Sequence, residues 1–189
     1  MFDDEAYVRN ELEAARAALA ACAALTPQVA RAATLVREAL AAGGKVLLAG
    51  NGGSAADAQH VAGELVGRFL KEREPLAGIA LTTDTSVLTA IANDYAVEAM
   101  YDRQVRALGR PGDVFIGLST SGRSRNIIQA AARARALGLH VIVLTGRNGG
   151  ALAEEAEVAL CVPAEITPHI QEAHITLLHI ICGLIDAER

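Results

Sequence analysis

Five short apolar runs, Val46 to Ala49, Gly78 to Leu81, Val114 to Leu118, Val141 to Leu144 and Val158 to Val162, recur along the chain with helical patterns between them. A run that is apolar at nearly every position has no face to offer water, and strands separated by helix-length segments must be joined by crossovers. Together these demand a parallel sheet covered by helices on both faces, so the expected fold class is α/β. Ahead of the first strand, residues 3 to 42 are alanine-rich with apolar positions at helical spacing, broken at Thr26 and Pro27. Those two residues read as an N-cap and a first-turn proline, which predicts two helices before the sheet begins. A chain of 189 residues, 52% hydrophobic, fits one domain spanning 1–189, with a helical segment at 1–42 and an α/β core at 43–189.

Two of the strand ends carry unusual loops. Lys45 to Ser54, KVLLAGNGGS, runs a strand into a glycine-rich turn and then a helix. Glycines let backbone N–H groups approach a ligand, and the helix N-terminus adds partial positive charge. The spacing is not the dinucleotide G-x-G-x-x-G, since Ala55 stands where the third glycine should be, and no Gly-Lys-Ser/Thr follows as a P-loop would require. The third strand ends in Ser119-Thr120-Ser121-Gly122-Arg123-Ser124, with four hydroxyls in six residues before a helix near Arg125. Capping would explain Ser121 or Ser124 alone, but four hydroxyls beside helix N–H groups suit a phosphate. In a sheet of order 2-1-3-4-5, strands one and three flank the topological switch point, and both loops open into one crevice.

The composition argues against several classes of partner. A net charge of −5, 3% aromatic residues and no tryptophan leave neither a basic patch nor stacking rings, so nucleic acid is not expected. Cys22, Cys161 and Cys182 are an odd count without metal-type spacing, in apolar contexts that suit small buried hydrophobes and a reducing, cytoplasmic setting. The start, MFDDEAYVRN, is acidic where a signal peptide would be basic. No apolar run approaches the ~18 residues of a membrane span, which predicts a soluble protein.

Past the first loop, His60 and Glu64 are four apart and share one helical face, within reach of a single metal or substrate. Gln171, His174 and His179 interrupt an otherwise apolar last helix, where a polar side chain must find a partner. Asn93-Asp94 is by residue type an ordinary turn dipeptide, and Lys71 to Pro75, KEREP, reads as a charged surface connection.

The segments GNGGSAADAQH, TAIANDY, STSG and IQEAH, in this order and spacing, closely resemble the bacterial phosphoheptose isomerases of the sugar isomerase (SIS) fold, over nearly the whole chain. SIS domains in general share the two loops, whereas the His60/Glu64 and Gln171/His179 pairs mark the isomerase. The resemblance implies a single SIS domain with a five-stranded parallel sheet in flavodoxin-like order. It implies an aldose–ketose isomerase that converts sedoheptulose 7-phosphate to D-glycero-D-manno-heptose 7-phosphate, ahead of ADP- or GDP-heptose for lipopolysaccharide or surface glycans. It further implies a cytoplasmic homotetramer with one Zn²⁺ per subunit. Carried over, His60, Glu64, Gln171 and His179 would be the zinc ligands, with Glu64 and His179 also transferring protons. Ser119, Thr120, Ser121 and Ser124 would hold the phosphate, Asn51, Gly52, Gly53 and Ser54 the sugar chain, and Asn93, Asp94 and Gln171 would line the same pocket.

Ketose–aldose exchange needs one base and one acid around an enediol, and Glu64 and His179 supply them. Gln171 and His179 are eight apart, about 12 Å of rise and roughly 80° of rotation on a straight helix. They are therefore expected to reach a given site from different copies of the chain, or from a helix that is irregular near Gln171. The apolar N-terminal helices would pack between protomers. Two rival readings, a scaffold for the replication initiator and a non-catalytic sugar-phosphate sensor, fit less well. The scaffolds lack the catalytic pair present here, and the sensors carry a further domain for which this chain has no room.

Overall fold

The computed structural model describes residues 2–187. Its centre is a sheet of five parallel strands, β1 (Val46–Gly50), β2 (Gly78–Ala80), β3 (Val114–Ser119), β4 (His140–Gly146) and β5 (Val158–Val162), in the order β2-β1-β3-β4-β5. Every expected strand is present to within two residues, in the expected order. Side chains alternate between two cores, as a strand period of two requires. Val46 and Leu48 face a layer built with α2 (Thr26–Ala41), α3 (Gly53–Val66) and α8 (Thr167–Ala187). Leu47 and Ala49 face the other layer, with α5 (Met100–Leu108) and α6 (Arg125–Ala136). The short helices α4 (Thr85–Asp94) and α7 (Gly150–Ala153) complete the crossovers.

At the N-terminus, α1 (Asp4–Ala21) is capped by Asp3, whose carboxylate accepts from Ala6 N–H at 3.0 Å. A 3₁₀ turn, Cys22–Leu25, then leads directly into α2. The cap expected at Thr26 is therefore absent. Thr26 is already helical, and its hydroxyl donates back to the Ala23 carbonyl at 2.8 Å, because the chain never leaves helical geometry; Pro27 does occupy the first turn. By length and composition alone, Asp4–Ala41 and Thr167–Ala187 are long and apolar enough to cross a membrane, contrary to the sequence expectation. In the fold α8 is a core helix, packed against α1, α2, α3 and the sheet.

Two of the cysteines are buried as expected. Burial, with the charges of Glu64 and Asp186, pushes the Cys182 thiol up to about 12, while Cys161 is only half-buried and accepts from the Thr145 hydroxyl at 3.3 Å.

Buried polar groups give the fold a defined acid response. His174 is fully buried, and its Nε2–H donates to the Thr145 carbonyl at 2.9 Å. That leaves Nδ1 as a bare acceptor, and desolvation lowers the ring's pKa to about 4. In the unfolded chain a histidine titrates near 6.5, so between these values the unfolded state takes up a proton that the folded state refuses. Stability is then lost as pH falls through that window. For Asp113, burial works to raise the carboxyl, but the Lys45 ammonium and the N–H groups of Lys45 and Arg110 outweigh it and hold it below its ordinary value. Its contribution is complete above the unfolded value of about 4 and disappears below it. The melting temperature is expected to decline from about pH 6.5 and to fall further below about pH 4. Thermal unfolding between pH 7 and pH 3 checks this, and a constant Tm from pH 6.5 to 4.5 would contradict the assignment for His174.

Candidate active site

The register of β1 on β3 sets Gly50 level with Leu118, so Asn51 and Ser119 leave the sheet side by side. Gly52 turns the first loop with φ 57° and stands at the N-cap of α3, where no side chain caps the helix. The loop is fixed from two sides. The buried Tyr101 hydroxyl donates to the Gly50 carbonyl at 2.7 Å. Asn51 and Asn126 exchange amide hydrogen bonds at 2.9 and 2.8 Å, which ties the first loop to the start of α6. Ser54 is buried and packs against Gly50 inside the turn. A cleft of about 310 Å³ lies between the loops, lined by Asn51, Val97, Glu98, Ser124, Arg125 and Asn126.

In the second loop the three serine hydroxyls turn toward one another. Ser119 Oγ lies 2.9 Å from Ser124 Oγ and 3.4 Å from Ser121 Oγ. Ser124 occupies the N-cap position of α6 but makes no capping bond, and Ser121 accepts from Arg123 N–H outside the helix. Capping therefore does not account for these serines. An uncapped helix N-terminus beside clustered hydroxyls is an arrangement that accepts an oxyanion. Asn93 and Asp94 end α4, exposed, with the Asn93 amide donating to the Asp94 carboxylate at 2.8 Å, and they are outside the residues that line the cleft.

Helices α3 and α8 pack side by side, and their polar residues meet in two tiers. At the first tier the Gln171 amide fills the space that a Cβ on Gly53 would need. Two turns further along, His60 Nε2 lies 3.1 Å from Glu64 Oε1 and 2.9 Å from His179 Nε2. One ligand atom from each of these three residues falls within 4.8 Å of the others. Two ring nitrogens 2.9 Å apart cannot both carry protons, so at least one presents a lone pair to the cluster. The Phe69 ring lies against the His179 ring at 5.4 Å and 26°.

The tiers correct one expectation and sharpen another. An irregular helix at Gln171 is excluded, since α8 is continuous from Thr167 to Ala187. Because the helix is regular, eight residues separate Gln171 from His179 by about 12 Å along its axis. A single chain thus brings together His60, Glu64 and His179, and holds Gln171 at the glycine loop. His174 and His169 serve elsewhere. His174 packs on β4, and the buried His169 sits 3.3 Å from Glu11 and 3.2 Å from Glu172. Asn126, Tyr101 and Phe69 were not singled out in the sequence. Asn126 alone left a signal there, as a polar residue on the otherwise apolar buried face of α6.

The chain is similar to known proteins over most of its length. The SIS domain family model matches residues 12–146. The chain is 53% identical over 176 residues to the phosphoheptose isomerase of Thiobacillus denitrificans, covering 92% of this chain and 89% of that protein. Among solved structures, the phosphoheptose isomerase of Neisseria gonorrhoeae superposes with a TM-score of 0.89 at 47% identity, over 97% of this chain and 98% of the other. A phosphoheptose isomerase from Francisella tularensis superposes with a TM-score of 0.95 at 38% identity, over 98% and 100% of the two chains.

Proposed function

Because the chain belongs to the SIS-domain family and, within it, to the phosphoheptose isomerases, we propose that it interconverts sedoheptulose 7-phosphate and D-glycero-D-manno-heptose 7-phosphate, the first step of bacterial heptose synthesis. The observation that carries the proposal is the meeting of His60, Glu64 and His179 two helical turns from the glycine loop, about 10 Å along α3. The extended sugar would run from a phosphate at the STSG loop, past the glycine loop, to a carbonyl at the cluster.

The chemistry follows from the residue types. Ser119, Thr120, Ser121 and Ser124, with the open N-terminus of α6, hold the phosphate, and Asn51, Gly52 and Gly53 receive the sugar chain. Glu64 removes the proton from the carbon beside the carbonyl and returns it to the neighbouring carbon, through an enediol. His179 exchanges a proton with the carbonyl oxygen, and in the reverse direction each residue serves the same atoms, with each proton moving the opposite way. The cluster also fits a metal, since two imidazole nitrogens and a carboxylate oxygen are ligands that zinc takes. His60, Glu64 and His179 would hold one Zn²⁺ per subunit, with the remaining position filled by Gln171 from another copy of the chain. When bound, that ion would polarise the substrate carbonyl.

The proposal extends to a cytoplasmic homotetramer whose product feeds ADP- or GDP-heptose for lipopolysaccharide or surface glycans. An apolar groove along α1, α2 and α8, which includes Leu19, Val29, Ile180 and Leu184, supports packing between copies. The test is incubation of the purified protein with sedoheptulose 7-phosphate, with and without a chelator. Turnover that is lost on chelation and restored by zinc is expected. No turnover by the untreated protein would sink the isomerase, and turnover indifferent to chelation would remove the metal alone.

A further inference from the structure

We propose that the buried Arg73–Asp186 ion pair positions the reacting groups, by clamping the end of α3 that carries Glu64 against the end of α8 that follows His179. The segment Lys71 to Pro75 was expected to be a charged surface connection, and Arg73 departs from that. Its side chain is 6% exposed and that of Asp186 is 2% exposed, with Arg73 Nε donating to Asp186 Oδ1 at 2.8 Å.

The other guanidinium nitrogens reach the terminus of α3, with Nη1 also donating to the neighbouring Glu74 carbonyl at 3.2 Å. Nη2 donates to the Glu64 carbonyl at 2.7 Å and Nη1 to the Leu65 carbonyl at 2.9 Å. These carbonyls belong to the last helical turn, where no intrahelical N–H remains to bond them, and a cation there also complements the helix dipole. The second oxygen of Asp186 accepts from Leu70 N–H at 2.9 Å and Lys71 N–H at 3.1 Å. Those amides directly follow Phe69, whose ring lies against His179. One pair thus sets the backbone of Glu64, the aromatic wall beside His179 and the distance between the two helices.

The charges themselves add little net stability, although the Glu64 and Leu65 carbonyls and the Leu70 and Lys71 amides would lose a partner without them. Replacing a buried ion pair by apolar residues of similar volume is often neutral or stabilising, because desolvation offsets the Coulomb gain. What apolar residues cannot reproduce is the three-way fork, nor can lysine, whose single ammonium does not span a carboxylate and two carbonyls in fixed directions.

The experiment compares wild type, Arg73→Lys and the double variant Arg73→Met/Asp186→Leu. It measures thermal melting, kcat and KM for sedoheptulose 7-phosphate, and the affinity for Co²⁺ by visible absorption. The choice of substrate rests on the isomerase proposal, whereas melting and Co²⁺ binding do not. The double variant is expected to fold but to melt somewhat below wild type, because four backbone groups lose a partner, with KM within about threefold, kcat lower by at least about tenfold and Co²⁺ bound at least about tenfold more weakly. Arg73→Lys is expected to shift kcat and Co²⁺ affinity in the same direction. A folded double variant with wild-type kcat and Co²⁺ affinity would overturn the clamp. If the double variant does not fold, Arg73→Lys decides on the same measurements. A wild type that binds Co²⁺ but never turns over would count against the isomerase instead, with the Co²⁺ affinities still judging the clamp.

Discussion

Glu64→Gln is expected to lower kcat for sedoheptulose 7-phosphate by about 10²- to 10⁴-fold while leaving KM close to wild type. Glutamine keeps the volume of the side chain and an oxygen that can still accept from His60, 3.1 Å away in the native pair. It loses the basicity that proton abstraction needs. Phosphate binding should survive, because the STSG hydroxyls and the N-terminus of α6 belong to a different strand end and make no contact with this carboxylate. His179→Asn should cause a loss of similar size. The double variant should be scarcely worse than either single one, since groups that act as a unit are not additive. Steady-state kinetics on the folded variants checks this, and a Glu64→Gln enzyme within about threefold of wild type would remove Glu64 as the base.

Gly122→Ala should be the most damaging single methyl group that can be added near the site. Gly122 has φ 63°, and a Cβ there would collide with the Gly149 carbonyl, which belongs to backbone and cannot swing aside. The approach is mutual, for Leu152 N–H donates to the Gly122 carbonyl at 3.1 Å and seats the loop on the start of α7. Left-handed geometry alone costs about 1 kcal/mol, and displacing two packed backbones should bring the total to about 3 kcal/mol or more. At this chain length that corresponds to a fall in Tm of roughly 6 to 12 °C. Phosphate affinity should fall with it, because Ser121 and Ser124 flank the displaced residue. Differential scanning calorimetry and KM together test the point, and a variant melting within about 2 °C of wild type would contradict it.

The sheet was legible because its strands are apolar on both faces, a pattern that few other architectures can bury, and the strand order then placed two loops at one crevice. The His60/Glu64 pair was legible because four residues along a helix is a local distance. What escaped was fixed by tertiary partners. Arg73 sits in a run of charged residues that any local reading makes a solvated surface, and the carboxylate that buries it lies 113 residues away. Asn126 pairs with an asparagine 75 residues distant. That Gln171 and His179 lie too far apart on one helix to share a site was legible from their spacing, whereas the partner each meets, Gly53 for one and His60 for the other, depends on the packing of α3 against α8. The missing cap at Thr26 is a smaller case, in which the preceding turn was already helical.

The paired amides of Asn51 and Asn126 have a further consequence for how the enzyme responds to its medium. Within the pair each donates once and accepts once, Asn126 accepting a second time from Ile127 N–H, and neither titrates, so the brace across the mouth of the crevice carries no charge to gain, lose or screen. The brace therefore answers neither to acidity nor to ionic strength through any charge of its own. Rate profiles against pH should carry no contribution from this brace itself.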